Sequence, residues 1–173
     1  MAFGDILLGD GVFSVVTSSG ATAIDIALTR GGGQFTVERE FRDIDADGDY
    51  GPVMGRVRLI REEPKLTMRG LEMLQSNMVY FYPNSTMTTT NSTAWHTVID
   101  SLTTGEHLYA AMWTGELLNG KDVVISVFNA LNRENIDWAL ADKEEVVPEI
   151  TFVGHYGTTT RTTVPFLVEY STA

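Results

Sequence analysis

Residues 34–61 decide the fold, and they read QFTVEREFRDIDADGDYGPVMGRVRLIR. Phe35, Val37 and Phe41 alternate with polar residues, which is the two-residue period of a half-buried β-strand. Residues 53–61 repeat this alternation, with apolar side chains on one face and arginines on the other. The stretch therefore predicts a long antiparallel hairpin whose two strands are joined by an acidic loop.

A hairpin centred on Gly48 gives the two strands a specific register. Glu40 then faces Arg56, and Glu38 faces Arg58. Opposite charges that face each other across a ladder contribute roughly 0.2–1 kcal/mol per pair. We therefore expect a charge-paired arm with Gly48 at its tip.

The size and composition of the chain suit one domain, residues 1–173, with the long hairpin as an extension. Because 43% of the residues are hydrophobic, the chain can bury a core. A membrane span needs about 18 consecutive apolar residues, and the sequence has no such run. The first residues lack a basic stretch and an apolar core, so we expect no signal peptide. Cysteine is absent, which excludes disulfides and thiolate chemistry.

The net charge of −11 argues against binding nucleic acid by phosphate neutralisation. Such binding needs clustered basic residues, and the only lysines are Lys65, Lys121 and Lys143. The acidic surface is instead expected to repel DNA.

Outside the hairpin, the sequence is rich in β-branched residues and turn signals. Leu71, Leu74 and Met78 have helical spacing and predict one α-helix over residues 70–79. Residues 84–93 predict a polar loop. The other predicted strands are residues 12–17, 23–28, 95–101, 106–116, 122–131, 136–141, 146–156 and 164–170. This pattern favours a mainly β fold, a β-sandwich or barrel with one helix.

The acidic loop carries aspartates at alternate positions, as in the first half of a calcium-binding loop. The candidate ligands are Asp43, Asp45, Asp47 and Asp49. Met54 stands where such a loop needs its closing glutamate, and the flanking elements are strands rather than helices. A looser calcium site, and with it a calcium-dependent β-sandwich binding module, stays open as an alternative.

No catalytic constellation is recognisable in the sequence, so we expect no enzyme and no cofactor. His96, His107 and His155 are scattered over predicted strands, without the spacing of a metal site. The tryptophans, with Tyr80 and Phe81, are expected to pack in the core rather than to bind carbohydrate.

Three segments resemble the major tail tube proteins of bacteriophages with long, non-contractile tails. TRGGGQFTVEREFRDIDADGDYGPVMGRVR is similar to the family's N-terminal part, and LADKEEVVPEITFVGHYGTTTRTTVPFLVEY to its C-terminal strands. PKLTMRGLEMLQSN is similar to the family's single helix and its lead-in. Residues 84–93 are the part least like the family.

The resemblance implies a structural virion protein, assembled in the cytoplasm of the host bacterium. Hexameric rings of the chain would stack into a hollow tube around a tape-measure protein and contact tail-tip and terminator proteins. DNA would later pass through the lumen without specific binding, and no membrane is involved. A tube-like protein of a contractile tail or secretion system is the alternative, because such proteins share the fold.

The resemblance also implies that the hairpin loop reaches a neighbouring subunit or ring. The residues of this expected assembly loop are Arg42, Asp43, Ile44, Asp45, Ala46, Asp47, Gly48, Asp49, Tyr50, Gly51 and Pro52.

Overall fold

The computed structural model describes residues 7–26, 29–71, 75–89, 92–98 and 100–171. Within these ranges the chain is mainly β. The strands are β1 (Leu7–Val16), β2 (Ile24–Ile26), β3 (Thr29–Asp43), β4 (Val57–Gly70), β5 (Ser85–Thr89), β6 (Thr93–Thr97), β7 (Leu108–Leu117), β8 (Asp122–Asn132), β9 (Glu149–Val153) and β10 (Phe166–Tyr170). One α-helix, α1 (Gln75–Phe81), and a 3₁₀ turn (Thr104–Glu106) complete the described elements.

The main sheet is antiparallel and has the order β2-β1-β7-β8-β9-β4-β3, with β10 paired to β8. β8 joins the two halves, because Val123–Val127 pair with β10 while Leu131 and Asn132 pair with β9. β5 and β6 form a separate hairpin. The mainly β prediction is confirmed, but the barrel option is wrong for the described residues, since β2 and β3 do not pair and leave the sheet open.

The two halves of the sheet curve towards each other and share one core. Phe13 on β1 and Trp113 on β7 belong to the same buried cluster as Leu66 on β4 and Phe152 on β9. A Cβ atom added to Gly33 on β3 would lie only 2.3 Å from the Cζ atom of Phe13, which shows how closely the layers approach.

The helix lies later in the chain than the sequence predicts. Gly70 ends β4 instead of starting a helix, and α1 continues to Phe81, which is fully buried beside Met78. Leu74 lies outside the described residues. The part of the prediction from residue 75 to 79 is confirmed.

Two other local predictions are wrong. Residues 85–89 form β5 rather than a loop, because they pair residue for residue with β6. Residues 136–141, predicted as a strand, are irregular and exposed, because no neighbouring strand bonds to them. Among the described residues, no helix is long and apolar enough to span a bilayer.

Candidate assembly arm

The hairpin of β3 and β4 extends well beyond the body of the protein. Every residue from 38 to 61 is exposed, whereas buried residues reappear in β4 from Glu62 onwards. We call residues 38–61 the arm. The paired strand residues from 38 to 43 alone span roughly 20 Å at the rise of a β-strand.

The predicted register of the arm is wrong. Glu40 lies opposite Arg61, and Glu38 opposite Glu63, so neither glutamate faces the arginine expected. A β-bulge after Glu40 shifts the ladder, and Phe41 then lies opposite Leu59. The reason is that the loop is folded unevenly, with turns at 46–49 and 53–56, so that Gly48 is not its centre.

Hydrogen bonds give the loop at the tip of the arm its own structure. The Asp49 amide donates to the Ala46 carbonyl at 3.1 Å, and the Asp49 carboxylate accepts from the Ala46 amide at 2.9 Å. The same carboxylate accepts from Arg56 at 2.6 Å, and the Ile44 amide donates to the Arg56 carbonyl. The loop is therefore closed at its base by residues on both strands.

The aspartates of the loop do not converge on a cation site. Asp49 is already used by Ala46 and Arg56. In the parts of the chain that the structure covers, no group of three or more histidine, cysteine or acidic side chains is arranged to hold a metal ion. The half-formed calcium motif thus serves, through Asp49, to shape the loop.

The arm exposes an unusual share of the apolar surface. Of the twenty-one large hydrophobic side chains that are exposed in the described residues, eight belong to the arm. They are Phe41, Ile44, Tyr50, Val53, Met54, Val57, Leu59 and Ile60. Met54 is 98% exposed. Such a concentration on one projecting element is typical of a contact surface rather than of a solvated loop.

The expected assembly loop, residues 42–52, contains only two of these eight side chains, Ile44 and Tyr50. The adjacent pair Leu59 and Ile60 breaks the alternation of β4, and both are exposed because neither face of the arm packs on the body. Two consecutive apolar residues in an otherwise alternating exposed strand were the available signal.

A network of charges surrounds the point where the arm leaves the body. The Glu63 carboxylate accepts from Arg61 and lies 3.5 Å from the Lys65 ammonium and 3.7 Å from the Arg133 guanidinium. Burial acts to raise the pKa of Glu63, but the hydrogen bond and charge of Arg61 and the charge of Lys65 outweigh it. The pKa of Glu63 therefore lies below its usual value. The pKa of Lys65, in contrast, is raised by its hydrogen bond to Glu38.

The arginines divide into two groups. Six of the nine form ion pairs within the chain. The other three, Arg42, Arg58 and Arg161, contact no carboxylate of the described residues. Arg42 and Arg58 lie directly opposite each other on the arm.

An open groove of about 780 Å³ runs between β4 and the segment after β9. Leu59 and Ile60 form one wall, Tyr156 and Val164 line the other side, and Arg161 also borders it. The third unpaired arginine thus lies beside the arm that carries the other two.

Two of the three histidines come together. The rings of His107 and His155 pack edge to face, with centroids 4.9 Å apart, and His155 Nδ1 lies 3.1 Å from the Asn129 carbonyl oxygen. Burial lowers the pKa of His155, and the charges of His107 and Arg133 lower it further. His96 lies apart, exposed on β6.

The aromatic residues predicted to lie in the core do not all lie there, because Trp138 is 37% exposed. Phe81 and Trp113 are buried, as expected. Trp95 is half-buried and stacks on Trp138, whose Nε1 donates to the Tyr82 hydroxyl at 3.2 Å. This stack attaches the irregular segment after β8 to the body.

Neither a protein-family model nor a curated protein sequence matches the chain. Among solved structures, the chain is similar to one described as "Tail of empty GTA particle computed with helical refinement, C6 symmetry". The two share 10% sequence identity over 93% of this chain and 95% of that chain, with a TM-score of 0.47.

Proposed function

We propose that this protein is the structural subunit of a phage tail tube, in which hexameric rings stack into a hollow tube that conducts DNA. The arm is the observation that carries the proposal. An isolated two-stranded ribbon is marginally stable in water, yet this one exposes eight large apolar side chains. A neighbouring copy that covers them supplies the missing burial.

The edges of the sheet support the same proposal. In the described residues, β2 and β3 each pair on one side only, which leaves backbone donors and acceptors unpaired along both edges. Such edges template pairing with another chain. A ring built from head-to-tail contacts gives every edge a partner and then closes.

The charge of the chain suits a conduit for DNA. With a net charge of −11 per copy, a ring carries a large negative charge. Wherever part of this charge lines the channel, phosphates are repelled from the wall, so that DNA slides rather than binds.

The three segments that resemble non-contractile tail tube proteins give the proposal its particular form. On this reading the protein is structural rather than enzymatic, belongs to the tail of the virion, and contacts tape-measure and tail-tip proteins. Residues 42–52 are then the loop that reaches from one copy to the next.

Assembly of the purified protein tests the proposal. Sedimentation and negative-stain electron microscopy, over a range of concentrations and with added tail-tip extract as nucleator, should reveal rings or tubes with a central hole. A protein that stays monomeric in every condition, including the nucleated one, would contradict the proposed function.

A further inference from the structure

Arg42 and Arg58 form a like-charged pair that no carboxylate of the described residues compensates. They lie directly opposite each other across the β3–β4 ladder and contact no carboxylate among the described residues. Like charges at facing positions destabilise a ladder. Carboxylates from outside the chain would remove this repulsion.

The groove beside the arm has an apolar surface and a free strand edge close to these arginines. Leu59 and Ile60, both about half exposed, line it together with Val164. The part of β4 that bonds to β9 is Lys65–Arg69, so the edge of β4 along the arm bonds to no described strand on that side. Among the described residues, the Arg161 side chain donates to the Thr158 carbonyl oxygen and contacts no carboxylate.

Residues 134–144, the acidic segment, have the complementary character. The segment contains four carboxylates and one lysine. Ile136, Trp138 and Leu140 alternate as in a strand, yet no strand forms, and Leu140 remains 79% exposed. A sequence with strand periodicity that pairs with no strand of the described residues is suited to pairing with another copy.

The acidic segment does not compensate the arginines of its own chain. Trp138 is attached to Tyr82 and Trp95, and Glu145, just beyond the segment, pairs with Arg30 at 2.6 Å. In this position none of its carboxylates forms an ion pair with the three arginines.

We infer that the acidic segment of one copy docks in the groove beside the arm of a second copy. This inference rests on the proposed tube function and specifies one contact between its copies. Residues 135–141 lie along the free edge of β4, as an added strand does in β-augmentation. Ile136, Trp138 and Leu140 share one face of such a strand, so docking releases Trp138 from its stack on Trp95. Ile136 and Leu140 then cover Leu59 and Ile60. The carboxylates of the segment compensate Arg42, Arg58 and Arg161.

Reciprocal charge reversal tests this contact. One variant carries R42E, R58E and R161E, and the other carries E134K, D137K and D142K. All six side chains are exposed, so both variants should retain the circular dichroism and melting of the wild type. Each alone should form at least tenfold less pelletable tube than the wild type, and an equimolar mixture should recover most of it, because every contact then pairs opposite charges.

A matched control separates local pairing from net charge. D10K, E116K and E169K change the net charge by the same amount at exposed positions of β1, β7 and β10. This variant should not rescue the arginine-reversed protein. If a reversed variant misfolds, its neutral counterpart replaces it, which is either R42Q, R58Q and R161Q or E134Q, D137N and D142N. Tubes of the neutral variant should dissociate at lower salt than those of the wild type.

The outcomes distinguish the contact from the function. Two results would overturn the docking contact while the wild type still forms tubes. One is that the mixture recovers no tube formation, and the other is that either reversed variant assembles fully by itself. Both leave the tube function intact. Wild-type protein that never assembles would overturn the tube function itself.

Discussion

Arg39 on β3 lies directly opposite Glu62 on β4, and its guanidinium donates to the Glu62 carboxylate at 2.6 Å. The Glu62 side chain is only 4% exposed, whereas that of Arg39 is 55% exposed. The pair therefore stands at the boundary between the buried sheet and the arm. It links the two strands at the point where the arm leaves the body.

Replacing Arg39 with alanine should destabilise the monomer by about 1–3 kcal/mol, because the Glu62 carboxylate is left buried without its partner. Urea unfolding measures this loss. R69A is the matched control, since it breaks a cross-strand pair whose partner Glu149 is more than half exposed. The control should cost at most about 1 kcal/mol. Equal losses of unfolding free energy in R39A and R69A would show that the burial of Glu62 does not increase the cost of removing its partner.

Deleting residues 45–50 should separate folding from assembly. The deletion removes the tip of the arm and its Asp49–Arg56 pair but leaves the ladder from Asp43 inwards. The melting temperature should change by less than about 3 °C, which corresponds to under ~1 kcal/mol at this chain length. Tube formation in the sedimentation assay should be lost. Normal tubes from the deleted protein would exclude the tip as a contact between copies.

Gly33 on β3 leaves no room for a side chain, because Phe13 and the neighbouring strand β4 lie close to its Cα atom. A Cβ atom there would lie 2.3 Å from Phe13 and 2.5 Å from the Thr67 carbonyl oxygen, which is backbone and cannot turn aside. G33A should therefore cost about 1–3 kcal/mol in urea unfolding, as overpacking does. G51A meets no atom within 4 Å and should leave stability unchanged. A G33A protein as stable as G51A would contradict the close packing of β3.

The stability of the monomer should fall as the pH drops below about 6.5, the ordinary pKa of histidine. Burial and the charges of His107 and Arg133 lower the pKa of His155. The unfolded chain therefore binds a proton at a pH where the folded chain does not, and the loss ends once the pH is below the folded pKa.

Urea unfolding from about pH 8 to about pH 5 measures this dependence. The free energy of unfolding should change by no more than about 1.4 kcal/mol per pH unit for one titrating group. H155Q should flatten the curve in this range. H96Q, which alters an exposed histidine on β6, should not. The same slope in wild type and H155Q would assign the effect to other groups.

The period of the hydrophobic pattern was enough to predict the fold class and most strands. Phe35 and Leu66, for example, occupy the inward positions that alternation assigns to a strand. The register of the arm was not predictable in this way. It depends on the bulge after Glu40 and on hydrogen bonds of Asp49 within the loop, both of which are properties of three-dimensional geometry rather than of pairwise charge.

Residues whose structure depends on a partner were the hardest to assign. Residues 136–141 have the period of a strand but pair with no strand of the described residues. Residues 85–89 have the composition of a polar loop and become β5 because β6 lies beside them. Arg161 was missed because only the fold brings it to the groove beside Leu59.

A cryo-electron microscopy reconstruction of the assembled protein tests the central claim most directly. We predict six-fold rings stacked around a channel, in which residues 42–52 of every copy are buried against a neighbouring copy. Tubes in which the arm projects freely into solvent, or an assembly without a channel, would contradict the account.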